Sequence, residues 1–181
     1  MEDNTTTLYA SELPYPPITV SAKNPVYARA MLDNMGGDNS EMSAVSLYLY
    51  NQLVTEDKQD LSLAFHKISI VEMRHLKIFG TLARMLGEDP RLWTQHGVKK
   101  AYWTPGYNRY PPRLPALLQN SLASEKAAIS KYQHQCSQIK DPCIVEILRR
   151  IILDEEMHIQ IYQKMFATYC TNGANGYADI G

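Results

Sequence analysis

The sequence carries one motif twice, Glu72-x-x-His75 and Glu155-x-x-His158. On an α-helix a spacing of three places carboxylate and imidazole on one face. The flanking residues identify that face. Leu61, Phe65, Ile68, Glu72, His75, Phe79, Leu82 and Leu86 alternate at intervals of four and three, as do Ile144, Leu148, Ile151, Glu155, His158, Tyr162, Met165 and Tyr169. This is the seam of a helix in a bundle. Each seam therefore points a glutamate and a histidine into a core, where an unpaired carboxylate is costly. A metal shared between the two helices would satisfy all four groups.

Two further glutamates stand at matched distances. Glu41 lies 31 residues before Glu72, and Glu125 lies 30 before Glu155. Glu125 belongs to a third seam of Leu118, Leu122, Glu125, Ile129, Tyr132, Cys136 and Ile139. Tyr48 and Tyr132 each follow their glutamate by seven residues, so the chain holds two copies of one pattern, offset by 83 or 84 positions. Glu41, Glu72, His75, Glu125, Glu155 and His158 are thus candidate ligands of a dinuclear centre. Tyr48 and Tyr132 either hydrogen-bond ligand carboxylates and carry protons, or are core tyrosines with satisfied hydroxyls. Asp154 and Glu156 flank Glu155 off the seam and are expected to face solvent, as are His66, His96 and His134.

A chain of 181 residues is expected to form one domain with a substantial core. Its formal net charge of −1 removes the electrostatic case for nucleic acid or an anionic membrane surface. No apolar run approaches the roughly 20 residues of a membrane span, and the polar, acidic stretch Met1–Ser11 does not read as a secretory signal. Cys136, Cys143 and Cys170 are odd in number and far apart, which speaks for a reducing, cytoplasmic setting. Without a Cys-x-x-Cys there is no rubredoxin-type iron site.

Residues 1–38 read as an N-terminal arm and a short helix. Pro14, Pro16 and Pro17 keep residues 1–23 extended, on the surface or on a neighbouring subunit. Asn24-Pro25 starts a helix that stops at Gly36-Gly37. Residues 39–170 read as an all-α, four-helix bundle with helices at about 39–56, 59–86, 115–139 and Asp141 to Tyr169. The aromatic stretch 91–113 is the long crossover between the two helix pairs. It covers the site or forms a subunit interface, with the interface favoured. Residues 171–181 read as a flexible tail, and no strand pattern is evident. Heights along the bundle agree with the metal reading. Glu41 and His75 lie 17 residues either side of the first turn, and Glu125 and Glu155 lie 15 either side of the last. At about 1.5 Å per residue, antiparallel helices bring each pair level.

Over about 39–170 the sequence resembles the ferritin-like di-metal carboxylate superfamily. Within it the chain is similar to the manganese catalase family, including its small spore-coat members, and to rubrerythrin. Asn24-Pro25 through Gly36-Gly37, Glu41 and the aromatic crossover resemble the former. The missing rubredoxin domain, and alanine rather than glutamate at position 128, depart from the latter. The resemblance implies Glu41 and His75 on one metal, Glu125 and His158 on the other, and Glu72 bridging both. Glu155 would either bridge as well or sit withdrawn and act as a proton acceptor. It further implies two Fe or Mn ions per chain, a donor set that suits either metal. The expected activity is an oxidoreductase that consumes hydrogen peroxide or O2, by catalase chemistry or with an external electron donor, in a homo-oligomer of two or more chains. Ferritin-like iron oxidation and storage, and a structural coat protein with a vestigial site, are the alternatives.

Overall fold

Asn24 opens the first helix by accepting from the amides of Val26 and Tyr27 at 2.9 and 3.1 Å, and Pro25 fills a position where a missing N–H costs nothing. This helix, α1, spans Pro25–Gly36 in the computed structural model, which describes residues 7–96 and 99–171. Ser40 caps α2, Glu41–Leu53, so Glu41 stands at the first helical position. The long α3, Gln59–Met85, ends at Gly87, whose φ of +105° lies in the region that favours glycine. Asp141 joins α4, Leu114–Gln138, to α5, Pro142–Phe166, and α5 closes with a single π-helical stretch, Ala167–Thr171. The expected tail beyond Thr171 lies outside the described residues.

α2 packs on α3, α4 packs on α5, and α3 meets α5 between the two pairs, while α1 lies against α3. The result is an all-α, ferritin-like four-helix bundle. Every member of the first seam from Leu61 to Leu86 is buried. So are the members of the second from Ile144 to Tyr162. The core has two apolar halves. One is built on Phe79, Leu82, Ile144, Leu148 and Ile151 with α1. The other is built on Leu47, Leu61, Phe65, Ile68, Leu117 and Tyr162. Polar seam residues form the layer between them.

One expectation needs correction. The crossover is not strand-free: Trp93–His96 and Lys99–Tyr102 pair as an antiparallel hairpin, β1 and β2. Four-residue strands are too short to leave a period in the sequence. The hairpin sits against α1, close enough that a Cβ on Gly36 would lie 3.0 Å from the backbone of Leu92 and Trp93. Further on, the crossover runs back along α2, where Trp103 donates to the Ser43 hydroxyl at 3.0 Å and Tyr110 packs edge-on against Tyr50. The arm, in turn, lies on its own chain. Ser21 donates from backbone and hydroxyl to Asp141 at 2.7 and 3.0 Å, and residues 9–15 run along α5 beside the polar layer.

Candidate metal centre

The structure brings the six candidate ligands into one buried layer. Glu41 comes from the first turn of α2, Glu72 and His75 from mid-α3, Glu125 from mid-α4, and Glu155 and His158 from α5. They fall into two four-residue sets, Glu41–Glu72–His75–Glu155 and Glu72–Glu125–Glu155–His158, whose donor atoms all lie within 4.8 Å of one another. Glu72 and Glu155 belong to both sets. That is the arrangement two adjacent cations need, with two carboxylates between them and a glutamate–histidine pair at either end.

Both histidines turn Nδ1 inward. His75 Nδ1 lies 3.1 Å from Glu72, 3.2 Å from Glu155 and 3.9 Å from Glu41. His158 Nδ1 lies 2.9 Å from Glu155, 3.1 Å from Glu72 and 3.6 Å from Glu125. Yet Glu72 Oε1, both Glu155 oxygens and His158 Nδ1 are buried without a hydrogen-bond partner. Such orphans are rare in a folded core because each forfeits its hydration. A pair of divalent cations would satisfy all four at once, so the donor set fits a dinuclear centre. Four carboxylates and two imidazoles suit Mn or Fe.

Tyr48 and Tyr132 cross over between helices. Tyr48 on α2 donates to Glu125 on α4 at 2.6 Å, and Tyr132 on α4 donates to Glu41 on α2. Each ring fills one apolar half of the core, and each hydroxyl reaches the polar layer. A cavity of about 230 Å³ opens between α2, α4 and the crossover. Asp38, Glu41, Arg109, Glu125 and Glu155 are among its lining residues, so the glutamate side of the centre faces this cavity.

The histidine side is closed, and here the sequence reading of Asp154 is overturned. Asp154 is fully buried rather than solvated. Its Oδ2 lies 3.1 Å from His75 Nε2, while Arg150 and the Ser11 amide both donate to Oδ1 at 2.7 Å. Tyr15 from the arm donates to Asp154, and its hydroxyl lies 2.9 Å from His75 Nε2. The one available signal was Arg150 four residues before Asp154, a pair that shares a helix face. Tyr15 left none, since nothing in an extended arm fixes where it docks. His66, His134 and Glu156 are exposed as expected, and the side chain of His96 lies outside the described residues.

Crowding sets the protonation of the ion-free cluster. Burial, then the charges of Glu72 and Glu155, pushes Glu41 well above the carboxylate range. The same causes push Glu125 up to about 8. Burial opposes charge on the histidines, but the surrounding carboxylates, Glu155 foremost for His75 and Glu72 for His158, raise both above the usual value. Glu72 moves the other way: burial opposes its charge, yet His158 and His75 hold it below the ordinary range. The consequence for stability has a definite sign. An unfolded chain releases these glutamate and histidine protons near pH 4.5 and 6.5. The folded, ion-free chain still holds those of Glu41, Glu125, His75 and His158 above those values, so it loses stability as pH rises from about 5 to about 8. Thermal melts of chelator-treated protein should show a falling melting temperature across that window, while the ion-loaded protein should not fall. A flat or rising profile for the chelated protein would contradict the cluster's electrostatics.

The profile of the family described as "Manganese containing catalase" matches residues 8–104. A protein of Clostridium acetobutylicum described as a probable manganese catalase is 24% identical over 176 aligned residues, covering 87% of this chain and 78% of that protein. Among solved structures, wild-type KatB, a manganese catalase from Anabaena, superposes with a TM-score of 0.80 at 19% identity, over 96% of this chain and 86% of that one. A second KatB structure, from Anabaena PCC7120, gives 0.76 at 21% identity, over 89% and 80%. A bacterioferritin from Rhodobacter capsulatus gives 0.66 at 23% identity, over 86% and 92%. At these identities the solved structures speak for the fold.

Proposed function

The chain belongs to the manganese-containing catalase family, and from that premise we propose that it disproportionates hydrogen peroxide at a dinuclear manganese centre held by Glu41, Glu72, His75, Glu125, Glu155 and His158. The single observation that carries this is the convergence of six buried ligands into two sets that share Glu72 and Glu155. Two peroxides give two waters and one O2, with one peroxide oxidised by two electrons and the other reduced by two. Two ions that each change oxidation state by one supply that exchange when bound.

The chain's own residues supply the rest. Glu41 and Glu125 end the cluster on the side of the cavity, which admits a molecule as small as peroxide. Tyr132 and Tyr48 hold those two carboxylates in place through their hydroxyl protons. Glu155 lines the same cavity, and neither of its oxygens has a hydrogen-bond partner. We assign it as the group that takes a proton from incoming peroxide, within reach of an oxygen on either side. That role belongs to the withdrawn position; its membership of both ligand sets equally allows a bridge, in which both oxygens would be taken by the ions and none would be left to accept a proton.

No helix among the described residues is long and apolar enough to cross a membrane. The three cysteines are free, which supports a reducing compartment, and we place the protein in the cytoplasm. Leu49, Leu53, Leu63, Ile70 and Met73 expose apolar surface on α2 and α3, which supports a homo-oligomer.

The test is O2 evolution. Manganese-loaded protein should release one O2 per two peroxides with no reductant present. Consumption only when an electron donor is added would move the activity to a peroxidase.

A further inference from the structure

We propose that the N-terminal arm is a clasp that locks both histidines of the centre from behind, with Tyr15 as its positioning residue, so that arm docking and metal binding strengthen each other. The inference rests on the dinuclear metal reading above. Its starting point is that the outer nitrogen of each histidine ends on the arm. His158 Nε2 lies 3.0 Å from the backbone carbonyl of Tyr9. A carbonyl only accepts, so Nε2 of His158 carries a proton, and the nitrogen left to offer a lone pair to an ion, once the ring is neutral, is the inward Nδ1. His75 Nε2 lies 2.9 Å from the Tyr15 hydroxyl and 3.1 Å from Asp154. With Tyr15 donating to Asp154, both oxygens are acceptors for His75, which fixes the same tautomer there.

The arm is held for this task by more than its own backbone. The Tyr15 ring lies between two guanidinium groups, Arg74 at 4.0 Å and Arg150 at 4.1 Å from its centroid. Arg150 also donates to the carbonyls of Leu13 and Ser11 at 2.7 and 2.8 Å. The Ser11 amide returns a bond to Asp154 at 2.7 Å. Arg150 and Asp154 therefore form a socket on α5 that grips the arm on one side and His75 on the other. A strap that merely covered apolar surface would need none of these bonds to ligand histidines. The cavity opens on the glutamate side, so the clasp closes the histidine side without obstructing entry.

Coupling of this kind is reciprocal: if docking raises metal affinity by a factor, metal raises docking by the same factor. The test uses the full chain and the Tyr15→Phe variant, which keeps the ring between the two arginines and removes only the hydroxyl. Chelator competition for Mn(II) should show affinity weakened by about tenfold or more, the scale on which partners of metal-bound histidines act. The absorption spectrum of the Co(II)-loaded protein should change with it. Hydrogen exchange in a peptide covering residues 8–16 should be slower in ion-loaded wild type than in ion-free wild type, and Tyr15→Phe should shrink that difference. A variant that melts earlier but keeps its Mn(II) affinity and Co(II) spectrum would overturn the inference, because a purely structural strap gives that result. Arm exchange indifferent to metal would overturn it too. Should Tyr15→Phe fail to fold, Arg74→Met at the exposed face of the ring replaces it in the same competition, with a smaller loss of affinity expected and none overturning. Metal affinity is the readout, so a wild-type chain that binds two ions without consuming peroxide refutes the function proposed above and leaves this inference standing.

Discussion

Glu72→Ala is expected to empty both metal positions, whereas Glu41→Ala should leave about one ion per chain. The difference follows from set membership. Glu72 offers an oxygen to each of the two ligand sets, but Glu41 belongs to one. Removing Glu72 also takes away the carboxylate that faces both imidazoles, at 3.1 Å from each. Two incomplete sites remain, with Glu155 the one carboxylate still facing both imidazoles. Glu155→Ala should behave like Glu72→Ala if Glu155 bridges, and like a catalytic lesion with both ions retained if it is withdrawn. Tyr48→Phe should keep both ions at saturating metal, because its hydroxyl touches Glu125 and no inward-facing nitrogen. Metal content by elemental analysis after dialysis checks all four. Two ions in Glu72→Ala would refute the shared-carboxylate assignment.

Stripping both ions from the wild-type protein should lower its melting temperature by about 15–30 °C at neutral pH. A ligand at a thousand times its dissociation constant stabilises by about 4 kcal/mol, so two such sites give about 8 kcal/mol. For a chain of this size each kcal/mol moves the midpoint by about 2–4 °C. The structure explains why the loss should be felt so strongly. The ligand layer lies between the two apolar halves of the core, and all four long helices contribute to it. Without ions it holds four carboxylates compensated by two imidazoles, two tyrosine hydroxyls and retained protons. Calorimetry on loaded and chelator-treated protein at matched pH measures the shift. A fall of under about 5 °C would mean that the two halves hold the bundle together without the metals.

Much of this centre was legible in the chain because it is written in a local period. An interval of four and three residues fixes which face of a helix is buried, and Glu72, His75, Glu155 and His158 sit on that face whatever the neighbours do. Glu41 and Glu125 were found by their matched distances of 31 and 30 residues from the two pairs, and their distances from the turns, a property of single helices and their connections, agreed. The two tyrosines could be placed on the seam, but not matched. Seven residues separate each from the glutamate on its own helix, yet each bonds the glutamate of the opposite helix, 77 and 91 residues away in sequence.

What the period cannot carry, only the tertiary structure decided. Whether a histidine turns Nδ1 or Nε2 inward depends on what waits behind it, and for His75 that is Asp154 and Tyr15, 79 and 60 residues distant. Asp154 looked like a surface residue because it is off the seam of α5. It is buried because the arm folds over it and Arg150 and His75 meet its charge. The hairpin Trp93–Tyr102 is likewise set by contact with α1 rather than by its own short strands. The sequence alone thus determined the helices of the bundle, their buried faces and the six candidate ligands on them, since each depends on spacing along the chain. The orientation of the ligands, the crossed tyrosines and the closure of the histidine side came only with packing, because each is a bond between segments that no local pattern connects.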